Sequence, residues 1–111
     1  MISTETYTAT IYIAGDFAEA KQTCRNFCFE VGLCVTVEPT SFIYTGGEEA
    51  GVRVGLINYP RFPSTPDEIN GKAFDLADRL MRDLCQHSYS VVTPTETHWF
   101  SRRDDPPPES N

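Results

Sequence analysis

Two spacing patterns alternate along this chain, and their order constrains the fold more than any other feature. Between Tyr7 and Ile13 apolar residues occupy every second position, which is typical of a β-strand. Apolar residues then recur every three or four positions between Asp16 and Gly32, as on one face of a helix. Asp16 is suited to cap that helix, with Glu19 three residues on, and Gly32 is suited to end it. A strand therefore leads into an amphipathic helix.

The middle of the chain repeats the two-residue pattern twice. Residues 33–37 and 52–59 alternate in the manner of strands, and we expect them to form a hairpin. Pro39 cannot donate a backbone hydrogen bond, so the first of these strands lies at a sheet edge or is broken there before resuming at Phe42. The segment Gly46–Gly51 has the composition of a hairpin loop.

A second helix and a last strand complete the pattern. Thr65, Pro66 and Glu68 form a strong helix start, with a cap, a proline in the first turn and the acidic residue of a capping box. The apolar positions of this helix continue to Cys85. A strand follows around residues 89–92, and residues 95–100 either continue it or form a fifth strand at the edge.

The order strand, helix, strand, strand, helix, strand predicts an α+β domain of the ferredoxin-like βαββαβ type. With right-handed crossovers it forms a four-stranded antiparallel sheet with both helices on one face. The domain would span residues 1–100. Residues 101–111, acidic and rich in proline, contain no apolar residue and are predicted to be a disordered tail.

Charge and hydropathy exclude several classes of function. Nine basic against sixteen acidic residues give a net charge of −7, which disfavours nucleic acids and anionic membranes as partners. Met1–Ala14 lacks the basic start of a signal peptide and reads as a strand, and no apolar run is long enough to span a membrane. We therefore expect a cytoplasmic protein with four free thiols.

The residues with reactive side chains do not form a recognisable catalytic or metal-binding set. Cys24 and Cys28 fall in the apolar stripe of the first helix, so packing in the core is the favoured interpretation. His87 suits the negative end of the second helix, and His98 stands apart from it. No nucleophile has a base beside it, and no cofactor motif is present. The sequence thus predicts no metal, no cofactor and no enzymatic activity.

The most unusual stretch of the sequence is Asn58–Pro63, which combines two prolines, two aromatic residues and an arginine. Tyr59, Arg61 and Phe62 are residue types that anchor interfaces, and the prolines lower the cost of ordering them. Arg61 would then contact a carboxylate or phosphate, while an aromatic ring stacks. Trp99 is a further candidate binding residue. The alternative is a stiff connector whose aromatic side chains fold inward.

Two segments, Ile11–Asp16 and Gly55–Pro63, resemble parts of small uncharacterised proteins of tailed phages and prophages. The resemblance covers most of residues 7–103. It implies an accessory role without catalytic residues, in which the protein binds and inhibits a host protein in the host cytoplasm. We therefore expect a non-enzymatic protein-protein interaction module that engages a host protein or pairs with itself as a homodimer. The alternative is a small-ligand-binding regulatory domain with a pocket near Tyr59 and Arg61.

Overall fold

The computed structural model describes residues 1–103, which form a two-layer domain of one sheet and two helices. All strand pairs are antiparallel, and the strands lie in the order β2-β3-β1-β4-β5. This confirms the predicted ferredoxin-like arrangement, with the fifth strand added at the edge beside β4. The elements in chain order are β1 (Thr8–Ala14), α1 (Phe17–Val31), β2 (Thr36–Tyr44), β3 (Gly47–Ile57), α2 (Pro66–Asp83), β4 (Ser88–Val92) and β5 (Thr97–Ser101).

Both helices begin at the capping residues that the sequence predicts. The Asp16 carboxylate accepts a hydrogen bond from the Glu19 backbone N–H at 2.9 Å. At α2, the Thr65 hydroxyl accepts from the Glu68 backbone N–H at 3.1 Å, and the Glu68 carboxylate accepts from the Thr65 N–H at 2.8 Å. These bonds satisfy donors that helix starts otherwise leave free. Gly32 ends α1 with a left-handed φ of 71°.

The core fills the space between the helices and one face of the sheet. Alternate residues of β1, β3 and β4 point toward the helices, as the two-residue period requires. The largest fully buried side chains are Ile11, Ile13, Leu56, Leu76, Leu80, Val52, Val54 and Val91. Burying side chains of this size stabilises the fold by about 1.5–3 kcal/mol each before the cost of ordering the chain.

The β2–β3 hairpin confirms the edge alternative predicted for its first strand and differs from the sequence prediction at its turn. β2 runs unbroken through Pro39, which lies opposite Val52. It is an edge strand, paired with β3 alone, so a residue without an N–H is tolerated there. The reversal is also tighter than predicted. Tyr44 already pairs with Gly47, and β3 begins at Gly47. Most of the predicted loop is therefore strand.

The face of the sheet opposite the helices carries mainly polar and small side chains, with a few aromatic ones. One row across it runs from Glu38 and Arg53 through Tyr12 to Ser90 and Trp99. A Glu38–Arg53 ion pair of 2.6 Å joins two members of that row, and both side chains are about half exposed. This face has no covering element among residues 1–103.

The described part of the C-terminal segment stays attached to the sheet. Ser101 is the last residue of β5, and the Arg102 backbone N–H donates to the His87 carbonyl at 2.9 Å. The rest of the predicted tail, residues 104–111, lies outside the described residues. Within the described part of the chain, no helix has the length and hydropathy needed to cross a membrane.

Candidate functional site

A groove of about 820 Å³ lies where the end of α1, the end of β3 and the start of α2 meet the loop of residues 58–64. Its volume falls within the range of roughly 300–1,000 Å³ that is usual for small-molecule sites. The lining is mostly apolar, and the residues that form it are Gly32, Leu33, Cys34, Leu56, Ile57, Tyr59, Arg61, Phe62, Pro63, Ser64, Ile69 and Lys72.

One wall of the groove is a tight turn in the loop of residues 58–64. The Phe62 backbone N–H donates to the Tyr59 carbonyl at 3.0 Å, so Pro60 and Arg61 occupy the tip of the turn. The fixed φ of proline favours such a turn and reduces the disorder of the free loop. Phe62 is 73% exposed beside the groove, whereas Tyr59 is half-buried.

Asn58 fastens this loop to the rest of the domain through both ends of its amide. Its Oδ1 accepts from the Ser64 backbone N–H at 2.9 Å, and its Nδ2 donates to the Glu5 carbonyl at 2.8 Å. The Asn58 backbone N–H also donates to the Tyr7 carbonyl at 3.0 Å. A longer contact of 3.4 Å joins Nδ2 to the Thr4 hydroxyl. The loop that carries Tyr59 is therefore held at its base by these bonds.

The opposite wall is built by the chain reversal after α1. The backbone N–H groups of Gly32 and Leu33 both donate to the Cys28 carbonyl, which turns the chain so that Cys34 faces the groove. A hydrogen bond with the Cys34 side chain raises the pKa of the Tyr59 phenol, and partial burial raises it further. Tyr59 is therefore a neutral hydrogen-bond donor at physiological pH.

The charged residues that line the groove are all basic. Arg61 lies at the tip of the loop, and Lys72 is half-buried on α2, three residues after Ile69 and on the same helix face. Neither forms an ion pair with any residue of the range 1–103. No carboxylate or histidine lines the groove in that range. The groove therefore favours a ligand that carries an anionic group.

The structure brings together three of the four predicted binding residues. Tyr59, Arg61 and Phe62 line the groove, whereas Trp99 lies on the uncovered face of the sheet. There Trp99 lines a smaller pocket of about 230 Å³ together with Tyr12, and Phe42 and Glu49 approach from the other side. Whether any of these residues binds a ligand stays a prediction. Local sequence could not reveal Cys34 and Lys72, because separate elements carry them to the groove.

The four cysteines occupy different environments. Cys24 is buried, and burial, with the nearby Cys28 as a lesser cause, raises the pKa of its thiol to about 12. Cys28 is half-buried, whereas Cys34 and Cys85 are exposed. The packing role predicted for the first helix thus fits Cys24 best. In residues 1–103, no three His, Cys, Asp or Glu side chains cluster closely enough to hold a metal ion.

No protein-family model and no curated protein matches this chain. The fold, however, is similar to that of solved phage proteins. A phage SAM lyase in its apo state has a TM-score of 0.70 and 17% identity, covering 86% of this chain and 88% of that one. A phage SAM lyase in complex with S-methyl-5'-thioadenosine has a TM-score of 0.72 and 15% identity, covering 91% and 93%. The phage source of both agrees with the resemblance noted in the sequence.

These comparisons overturn the predicted class of function. The sequence predicts a non-enzymatic interaction module, or a regulatory ligand-binding domain in its place, but two solved structures that share this fold over most of their length are those of an enzyme. The prediction depended on the lack of a nucleophile with a base beside it. An enzyme can also act by orienting a reactive substrate and excluding water, which leaves no such pair in the sequence.

Proposed function

We propose that this protein is an enzyme that binds S-adenosylmethionine in the groove and cleaves it to release S-methyl-5'-thioadenosine. The observation that carries the proposal is the fold shared with a phage SAM lyase bound to S-methyl-5'-thioadenosine, at a TM-score of 0.72 over 91% of this chain. The size and chemistry of the groove support it independently.

The groove suits each part of this substrate. Leu33, Leu56 and Ile69 offer an apolar surface for the adenine ring. Tyr59 and Phe62 offer ring faces, which attract a sulfonium as they attract other organic cations. The net charge of −7 also attracts a substrate that is positively charged overall.

The bond-breaking step needs little from the protein. When the bond between sulfur and the γ-carbon of the methionine part breaks, its electron pair stays on sulfur and gives the neutral thioether S-methyl-5'-thioadenosine. In the same step, the γ-carbon takes an electron pair from the substrate's own carboxylate, closing a lactone ring, or the β-carbon loses a proton to a base and its C–H electron pair forms a double bond to the γ-carbon. Ring closure needs no base, and the described lining contains no carboxylate or histidine to serve as one. Ring closure is therefore the route we favour.

Catalysis by this route depends on geometry. The free substrate is extended and solvated, whereas ring closure needs the carboxylate oxygen in line with the carbon–sulfur bond. Holding reacting groups in such an arrangement accelerates a reaction by several orders of magnitude. Carboxylate and sulfonium charges also cancel as the ring closes, so a largely apolar groove that excludes water favours the step.

The experiment is a turnover assay with two matched aromatic variants. Purified protein is incubated with S-adenosylmethionine, and both products are separated and identified by mass, with a protein-free sample to subtract slow spontaneous breakdown. We expect S-methyl-5'-thioadenosine together with homoserine lactone. Phe62→Ala should lower the rate, whereas Trp99→Ala, which removes an exposed ring outside the groove, should not. Folded protein that releases no S-methyl-5'-thioadenosine above the blank contradicts the proposal.

A further inference from the structure

We propose that Arg61 and Lys72 together bind a carboxylate, so that the groove selects adenosine thioethers and sulfonium compounds that carry an amino-acid carboxylate. This inference rests on the proposed function and names which end of the substrate decides selectivity. The observation behind it is a contrast between the net charge of the chain and the charges that line the groove. The chain has sixteen acidic residues against nine basic ones, yet the two charged residues that line this groove are both basic.

The two basic side chains reach the groove from different walls. Arg61 comes from the turn between β3 and α2, and Lys72 comes from the second turn of α2. A carboxylate between them would contact a planar guanidinium on one side and an ammonium on the other. That arrangement suits its two oxygens and gives charge-assisted hydrogen bonds.

Within residues 1–103, neither side chain is engaged in an ion pair. In residues 1–103, Arg53 pairs with Glu38 and Arg79 with Glu30, but Arg61 and Lys72 have no carboxylate partner. Lys72 is also half-buried, and an ammonium that has lost part of its water gains more from a counter-ion than an exposed one does.

The loop also prepares Arg61 for binding. The guanidinium carbon lies 5.7 Å from the centre of the Phe62 ring, which orients its planar group. Pro60 and the Asn58 hydrogen bonds fix the turn beneath it. A preorganised side chain loses less entropy when a ligand binds, so more of the interaction appears as affinity.

The proposed chemistry predicts how these residues affect kinetics. The carboxylate loses its charge as it attacks the γ-carbon, so its contact with Arg61 and Lys72 is stronger in the bound substrate than in the transition state. An interaction of that kind contributes to substrate binding and does not accelerate the chemical step. Neutral variants should therefore raise KM by a larger factor than they change kcat. A merely structural role would lower kcat as the fold weakens.

The test compares two ligands that differ only by the carboxylate. Calorimetry measures the affinity of the full chain for S-adenosylhomocysteine and for S-adenosyl-3-thiopropylamine, its decarboxylated form, neither of which has the sulfonium needed for cleavage. The wild-type protein should bind the first about tenfold more tightly or better, the discrimination expected of one charge-assisted contact. Adenosine 5'-monophosphate, which offers a phosphate in place of the carboxylate, serves as a third ligand.

Variants then assign the preference to the two residues. Arg61→Met and Lys72→Met should each reduce several-fold the ratio of the affinity for S-adenosylhomocysteine to that for S-adenosyl-3-thiopropylamine. Both should leave the affinity for S-methyl-5'-thioadenosine unchanged, because that ligand has no carboxylate. Lys21→Met, on the exposed surface of α1, is the control and should change nothing. The inference is overturned if the wild-type protein binds S-adenosylhomocysteine and S-adenosyl-3-thiopropylamine equally, or if it prefers adenosine 5'-monophosphate to both. It is also overturned if the variants weaken the binding of all ligands alike.

The outcomes also separate this inference from the proposed function. A protein that cleaves S-adenosylmethionine but shows no preference for the carboxylate retains the proposed function and loses the pairing of Arg61 with Lys72. A protein that binds none of these nucleosides and shows no turnover loses both.

Discussion

The side-chain oxygen of Asn58 accepts a hydrogen bond from the Ser64 backbone N–H at 2.9 Å, which closes the loop that forms one wall of the groove. The same amide donates to the Glu5 carbonyl from its other end. One side chain therefore sets the position of Tyr59, Arg61 and Phe62 without lining the groove itself.

Replacing Asn58 should loosen this loop. Asn58→Ala removes both bonds and leaves a half-buried backbone N–H at Ser64 without its partner, which costs about 1–3 kcal/mol. Denaturant unfolding measures that cost, and calorimetry should show weaker binding of S-methyl-5'-thioadenosine.

The matched variant is Asn58→Asp, which keeps the acceptor for Ser64 and loses the donor to Glu5. It should retain more ligand affinity than Asn58→Ala, since the base of the loop stays closed. Equal affinity in both variants and in the wild type would show that Asn58 does not position the groove.

Thiol reactivity should follow the environments of the four cysteines. Cys34 and Cys85 are exposed and should react quickly with a chromogenic disulfide reagent, while Cys24, buried and with its pKa raised to about 12, should react only on unfolding. Mass mapping of the labelled peptides identifies each site.

Ligand protection makes the same experiment a test of the groove. S-methyl-5'-thioadenosine should slow the labelling of Cys34, which lines the groove, and leave Cys85 unaffected as an internal control. Equal protection of the two thiols, or of neither, would argue against a ligand at Cys34.

Tyr89 should make the free energy of unfolding depend on pH in the alkaline range. Its hydroxyl is buried and donates to Asp78 at 2.8 Å. Burial first, and then the Asp78 carboxylate, raise the pKa of this phenol above its usual value near 10. Above pH 10 the phenol ionises in the unfolded state but stays protonated in the folded state. The contribution of Tyr89 to the free energy of unfolding is therefore complete below pH 10 and is lost as pH rises toward the folded-state pKa.

The measurement is the urea midpoint of wild type and Tyr89→Phe from pH 8 to pH 11. At pH 8 the variant should be less stable by about 1–3 kcal/mol, the value of a hydrogen bond to a charged acceptor. Other groups titrate in the same range, so the difference between the two proteins is the informative quantity. A gap that stays constant up to pH 11 would contradict the assignment.

Two glycines should respond to alanine with opposite signs. A Cβ on Gly51 would collide with the Phe42 ring and lie 2.6 Å from the Ile13 carbonyl oxygen, so Gly51→Ala should destabilise by about 1–3 kcal/mol. Gly71 lies inside α2 with open space around it, and Gly71→Ala should stabilise by about 0.5–1 kcal/mol. Thermal unfolding of both variants measures these two changes in stability and so checks the register of the sheet. Stability changes of the same sign in the two variants would contradict that register.

Local signals predicted much of the fold. Asp16, Gly32 and the Thr65–Glu68 capping box mark helix ends within a few residues of sequence, and the structure uses all of them. Strand pairing is less local. The segment Gly46–Gly51 has the composition of a loop, but most of it is strand because β1 pairs with Gly51 and β2 supplies partners as far as Gly47.

The candidate site was predictable only where it is continuous in sequence. Tyr59, Arg61 and Phe62 stand out because they share one short loop, whereas Lys72 and Cys34 reach the groove through the packing of α2 and the reversal after α1. The proposed enzyme class could not be predicted from the sequence. A reaction whose substrate carries its own leaving group and nucleophile requires no catalytic pair that a sequence pattern could reveal.

The location of the site can be measured most directly by NMR titration of the ¹⁵N-labelled 12.5 kDa chain with S-methyl-5'-thioadenosine. We predict saturable shifts in the backbone resonances of residues 32–34, 57–64 and 69–72, which surround the groove, with little change at Trp99. Shifts centred instead on Tyr12, Ser90 and Trp99 would place the ligand on the uncovered face of the sheet and contradict the account. So would a spectrum that does not change at all.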